Sequence, residues 1–199
     1  MPKFLFIAND PCLDFVNTEV VLVGARTDLL QSFTDLTAWF AQANLPSLSG
    51  VRRLAKVRGD TRDAKAAFQA ARVLRDVLRN SVERVATAGT LPRNLADTLK
   101  AELQQARLAA DVVYSLGRLK TKPRWILEQP RDLLIVVAHY AANFFARADY
   151  SAVRKCENPE CILYFYDTSK NHTRRWCSMR LCGNRAKVSA FRDRLIVRT

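Results

Sequence analysis

Long apolar runs are missing from this 199-residue chain. No stretch reaches the roughly 20 residues that a membrane-spanning helix requires. The opening residues, Met1-Pro2-Lys3 and a short mixed run containing Asn9 and Asp10, lack the apolar core of a secretory signal. These absences predict a cytoplasmic protein with no membrane partner. Internal repeats and low-complexity segments are absent too, which excludes repeat architectures. Glycine is scarce, at 6 residues, and no glycine-rich phosphate loop occurs. His139 and His172 are the only 2 histidines, and no nucleophile–base pairing accompanies either of them. The chain therefore reads as a non-enzyme. Acidic side chains are the minority charge, 19 against 32 Lys and Arg, for a net charge of +13. A hydrophobic content of 49% excludes a disordered chain.

What is present is concentrated near the C-terminus. Four of the 5 cysteines fall between residues 156 and 182 as two C-x4-C pairs, Cys156/Cys161 and Cys177/Cys182. Four thiolates satisfy a tetrahedral Zn²⁺ at about 2.3 Å each and leave no position for water, so such a site supplies folding energy and not catalysis. One structural zinc is the expected cofactor. An iron–sulfur cluster or disulfides remain open from the spacing, although clustered cysteines without a secretory signal favour metal. His172 is a further candidate ligand, redundant beside four thiolates. Cys12 lies far from the cluster and reads as a small core residue. Between the pairs, Ile162–Tyr166 is rich in aromatic and branched residues and predicts a strand. Asp167–Asn171 predicts a turn, and Thr173–Cys177 a returning strand. Gly183-Asn184 then opens a helix, with Asn184 as N-cap. Knuckle, hairpin and knuckle at a helix start describe a treble-clef-like finger.

The segment Cys182-Gly183-Asn184-Arg185 resembles the CGNR zinc finger family. So do Asp167-Thr168-Ser169-Lys170-Asn171, Arg174-Arg175-Trp176-Cys177-Ser178-Met179 and Ala186-Lys187-Val188. Near the other end, Cys12-Leu13-Asp14-Phe15-Val16-Asn17-Thr18 resembles the signature of the ABATE domain that normally precedes this finger. The resemblance implies a bacterial, stress-linked transcription regulator.

Taken in order, Phe4–Ala8 predicts a short strand and Asn9-Asp10-Pro11 a turn. Asp14 and Asn17 are candidates to line a small-molecule pocket; the alternative is that they satisfy local backbone groups. Ser32 or Thr34 caps a helix running to about Asn44, and Pro46–Gly50 breaks the pattern. The longest helix starts at Asp60 or Thr61 and ends near Ala88, with Phe68, Ala71, Leu74 or Arg75, Leu78, Val82 and Val85 on its apolar stripe. Arg72, Arg75, Arg79 and Arg84 decorate its other faces, as a solvated surface or as phosphate contacts. Asn94 caps a helix to about Leu108. Residues 111–128 predict a hairpin, with an extension of the preceding helix as the alternative. A mostly apolar helix, Arg131 to about Tyr150, predicts the central core element, with His139 as a packing residue.

Residues 151–199 hold 11 Lys and Arg against 4 Asp and Glu, and such basicity points to a polyanionic partner. Arg174, Arg175, Arg180, Arg185, Lys187, Arg192 and Arg194 are the candidate nucleic-acid contacts, with Val188, Phe191 and Leu195 as the packing stripe of the terminal helix. Tyr164, Tyr166 and Trp176 are candidate stacking residues for RNA. The expected fold is α+β and mainly α: a helical domain with short β-hairpins over residues 1–151, then a four-cysteine finger over 152–199. The expected function is a DNA-binding transcription regulator of double-stranded DNA, whose N-terminal domain senses a small-molecule effector or forms a homodimer. The alternatives are an RNA-binding protein, or a zinc-stapled sensing or interaction protein with a purely structural finger.

Overall fold

The computed structural model describes residues 2–45 and 50–189. Its first helix, α1 (Pro11–Val16), shows how local chemistry starts an element. The Asp10 carboxylate accepts from the Cys12 N–H at 2.7 Å. Pro11 occupies the first turn, where no N–H is required. Cys12, Leu13, Asp14, Phe15 and Val16 are all buried, so α1 is a short peg inside the core. Two strands follow, β1 (Glu19–Leu22) and β2 (Ala25–Asp28), paired antiparallel.

Helix α2 (Phe33–Ala43) starts from a reciprocal cap. Ser32 Oγ accepts from the Asp35 N–H at 3.2 Å, and the Ser32 hydroxyl donates to the Asp35 carboxylate at 2.9 Å. It ends at Asn44 in the left-handed region (φ 47°). A single turn, α3 (Val51–Leu54), precedes α4 (Arg62–Ala88), which is capped by Thr61 and stopped by Gly89 at φ 63°. Both ends of α4 fall where the cap residues predict. The stripe residues Phe68, Ala71, Leu78, Val82 and Val85 are buried. α5 (Asn94–Leu103) leads into a longer antiparallel ribbon, β3 (Leu108–Ser115) with β4 (Arg118–Trp125). α6 (Asp132–Arg147) then runs through the core, as its apolar pattern predicts. The fold is therefore mainly helical with short antiparallel strand pairs.

Several expectations shift on contact with the structure. Phe4–Ala8 is not assigned as a strand. α5 ends at Leu103 because the ribbon begins at Leu108, three residues earlier than read, and closes at its base where Ile126 N–H donates to the Arg107 carbonyl at 3.0 Å. Arg75 and Arg79 are not on a solvated face: both are buried. Arg75 donates bidentately to Asp28 at 2.6 Å for each contact and to Thr18 Oγ1 at 2.9 Å. Arg79 Nε lies 3.0 Å from Glu19. Their partners arrive from the β1–β2 hairpin, which no spacing within α4 could announce. Arg72 lies 3.4 Å from Asp28 and stays half in solvent, and Arg84 is exposed. His139 packs edge-on against Trp125, centroids 4.8 Å apart, and burial lowers its pKa.

After a 3₁₀ turn at Tyr150–Ala152, strand β5 (Val153–Lys155) pairs antiparallel with β6 (Tyr164–Tyr166). This corrects the hairpin expected between the two cysteine pairs. The ladder encloses the first knuckle, and residues 173–177 return without a strand. The buried Asp167 carboxylate explains the return path, because it accepts from the backbone N–H groups of Ser169 and Arg174, both at 2.9 Å. One apolar cluster joins α1, α4 and α6 to Leu163, Tyr164, Phe165 and the four clustered cysteines.

Candidate metal centre and the cations around it

The first knuckle is the loop of the β5–β6 ladder. Cys156 N–H donates to the Leu163 carbonyl at 2.9 Å, and Cys161 N–H to the Asn158 carbonyl at 2.8 Å, which turns both side chains the same way. The second knuckle is a π-helical turn, Met179–Gly183, preceding helical residues 184–189. A Cβ at Gly183 would lie 2.7 Å from Met179 Sδ and 3.2 Å from the Trp176 ring, so a larger residue there would displace the exposed methionine tip. Asn184 already has helical dihedrals, so the turn ending at Gly183 and not an Asn184 cap starts this helix.

These two knuckles bring Cys156, Cys161, Cys177 and Cys182 together, all buried, with their sulfur atoms within 4.8 Å of one another. The Cys161–Cys177 and Cys177–Cys182 separations are 3.8 and 3.5 Å. Tetrahedral zinc with bonds of about 2.3 Å demands sulfurs roughly 3.8 Å apart, so the cage has the size and donor set for one structural zinc. Thiols packed so closely cannot all ionise alone. Hydrogen bonds from Cys161 and Cys177 draw the Cys156 thiol well below its ordinary value. Its thiolate raises both Cys161 and Cys177. A dication takes all four as thiolates, which couples metal binding to proton release. The Cys177 N–H points at Cys156 Sγ, 3.3 Å away, and supports that sulfur from outside the cage. His172 stays out of the cluster, its Nδ1 3.1 Å from the Asp167 carbonyl. Cys12 is buried in α1, where burial raises its pKa.

The predicted phosphate contacts separate into distinct groups. The Arg174 guanidinium donates to the carbonyls of Ile7 (2.8 Å), Trp176 (3.0 Å) and Cys177, and lies 4.2 Å over the Phe165 ring. It is a strut between the finger and the N-terminal segment. Arg175 pairs with Glu157 at 2.5 Å and lies 5.1 Å over the Trp176 ring. Arg180, Arg185 and Lys187 are exposed, and none makes a salt bridge with a described residue. Arg192 and Arg194, with Phe191, Leu195 and Arg198, lie outside the described residues. Tyr164 is buried, while Tyr166 and Trp176 are half-buried.

Asp14 and Asn17 hold backbone together. Asp14 Oδ1 accepts from Ile7 N–H at 3.0 Å and Ala8 N–H at 2.9 Å. Asn17 both donates to the Tyr164 carbonyl (2.7 Å) and accepts from its N–H (3.0 Å). Arg79, Asn9 and Arg174 add further bonds across the same junction. Asp14 and Asn17 thus satisfy backbone groups, as the second of the two sequence readings has it; what no local signal announced is that the partner of Asn17 is Tyr164, 147 positions away.

A helical protein carrying a buried four-cysteine zinc finger is the class these features define. Residues 9–148 match ABATE, the family described as "Putative stress-induced transcription regulator", and residues 152–195 match the CGNR zinc finger. The chain belongs to the ABATE family, with a CGNR finger following that domain. Neither family is described as one of enzymes. No curated protein matches the chain. None of the described helices is long and apolar enough to cross a membrane.

Proposed function

We propose that this protein is a DNA-binding transcription regulator whose zinc-stapled finger grips duplex phosphates through Arg180, Arg185 and Lys187. The carrying observation is that these three cations stand exposed on and just after the second knuckle, with no described carboxylate paired to them. A metal-stiffened turn holds such groups in register at low entropic cost, and each phosphate neutralised releases counterions. The chain's charge of +13 supports a polyanionic partner. RNA is the weaker reading, because Tyr164 is buried and Trp176 is capped by Arg175, which leaves poor stacking platforms.

For the N-terminal domain we place an effector in the apolar cleft between α5 and α6. It has a volume near 880 Å³, its walls include Leu95, Leu99 and Phe145, and Arg93 and Lys100 also line it. That lining suits a small amphipathic anion. The experiment is binding of the zinc-loaded protein to random-sequence duplex DNA and to single-stranded RNA at several salt concentrations. Tight duplex binding with a steep salt slope, flattened in an Arg180→Gln, Arg185→Gln, Lys187→Gln variant, is the expected result. No duplex binding at low salt would overturn the reading.

A further inference from the structure

We propose that the β3–β4 ribbon is a second DNA-contacting arm, with a cationic shaft for phosphates and an apolar tip for the bases. The proposal rests on the regulator reading above and adds a site to it. Strand pairing is what sorts the ribbon's side chains. Directly opposed residues of an antiparallel pair share a face. Asp111↔Lys122, Val113↔Lys120, Ser115↔Arg118 and Ala109↔Arg124 therefore lie on one side, and Leu108↔Trp125, Val112↔Thr121 and Tyr114↔Leu119 on the other. The 2.8 Å bond from Arg124 to Asp111, diagonal neighbours on the first side, agrees with this division. It also occupies the only carboxylate of that face, so Arg118, Lys120 and Lys122 remain, all exposed. Alternate positions on a strand recur about every 6.8 Å, close to the repeat of phosphates along a nucleic-acid strand.

The opposite side and the tip are apolar and wet. Tyr114 is 73% exposed, Leu119 71% and Leu116 93%. Leu116 and Gly117 form the two-residue turn with φ of 54° and 76°. That geometry favours Asn-Gly, and a leucine in the left-handed region is strained. The chain thus keeps a bulky apolar group at the far end of the ribbon against its conformational preference. A lone two-stranded ribbon is marginal in water, and the exposed or half-buried β3 has no solvent-shielded face. Apolar side chains backed by cations are the equipment of proteins that wedge base steps from a groove while holding the backbone. The ribbon base meets α6 at His139, and Phe144 of α6 meets Tyr166 of the finger, centroids 5.9 Å apart. Five residues of helix, about 7.5 Å of rise, separate the attachment points, so one helix carries both cationic elements.

The test uses the full-length, zinc-loaded protein in salt-dependent binding to a random-sequence duplex. Arg118→Gln with Lys120→Gln and Lys122→Gln should make the log–log salt slope shallower by about 2.7, at roughly 0.9 per lost phosphate contact, with zinc content unchanged. Leu116→Asn suits the turn better and should preserve or raise the melting temperature while lowering duplex affinity at an unchanged slope. If the finger variant weakens binding but the ribbon variants leave both slope and affinity as in the parent, the arm is disproved and the regulator reading stands. If the parent protein shows no duplex binding, both fall. Binding to phosphatidylserine vesicles that the ribbon triple variant abolishes, with its duplex binding intact, would assign the ribbon to a membrane surface and overturn the proposal. So would a dimer that Leu119→Asn dissociates without changing duplex affinity.

Discussion

Cys177 shows how much one side chain can carry. Its sulfur lies within 3.8 Å of Cys161 and 3.5 Å of Cys182, and its N–H supports Cys156. Cys177→Ser should therefore release zinc, seen as a metal-to-protein ratio near zero by mass spectrometry. It should also lower the melting temperature, because structural zinc binding is folding free energy. Asp28 is the counterpart in the helical part. Its carboxylate neutralises Arg75, whose side chain is 1% exposed. Burial works against the Asp28 charge, but the hydrogen-bonded guanidinium and the Leu30 N–H outweigh it and hold the pKa below 3.8. Asp28→Ala would leave a buried cation without its main partner, and should cost about 3–5 kcal/mol in chemical denaturation. Arg84→Ala, on the exposed side of the same helix, should cost less than about 0.5 kcal/mol.

Among the elements, α1 matters beyond its 6 residues. It packs between α4 and α6, and the residue that ends it, Asn17, makes two hydrogen bonds to the backbone of Tyr164 in β6. The side-chain amide thus completes the edge of the finger's two-stranded ladder. Asn17→Ala would strand a buried N–H and a buried carbonyl, each worth about 1–3 kcal/mol. The expected outcome is lost hydrogen-exchange protection in β5 and β6 with zinc still bound. Protection equal to the parent's would show that the junction is held by packing alone.

At the scale of the whole molecule, burial sets a pH response. Burial, as the largest cause, raises Asp10 and Asp14 from 3.8 to about 6. Between those two values the folded chain keeps protons that the unfolded chain gives up, so each group favours folding more as pH falls from 7 towards 4. Asp28 acts in the opposite direction, in a window below 3.8 that does not overlap. Asp14→Asn keeps an acceptor for the Ile7 and Ala8 N–H groups while removing the buried charge. Its melting temperature should exceed the parent's at pH 7, and the gap should shrink as pH falls through 6 and close only towards pH 4. Since metal loss in acid affects both proteins, the difference between the two melting curves isolates the carboxyl.

The sequence by itself determined the parts whose chemistry is local. Two C-x4-C pairs specify a thiolate cage because ligand spacing is a property of neighbouring residues. Thr61 and Gly89 bound α4 because caps act within one turn. The pattern of residues 111–128 indicated a ribbon, though not its start at Leu108. Tertiary structure decided which cations are free. Arg75 and Arg84 sit on the same helix, yet only Arg75 meets a carboxylate, one that lies 47 positions away in sequence. Arg174 reads as a phosphate ligand until Ile7, 167 positions earlier, supplies its carbonyl. The ladder partner of Tyr166 is Val153 and not a residue between the knuckles, because buried Asp167 captures the returning chain. Caps and metal knuckles are resolved within a few residues; desolvated charges find their partners wherever the fold brings them, and no local pattern records that.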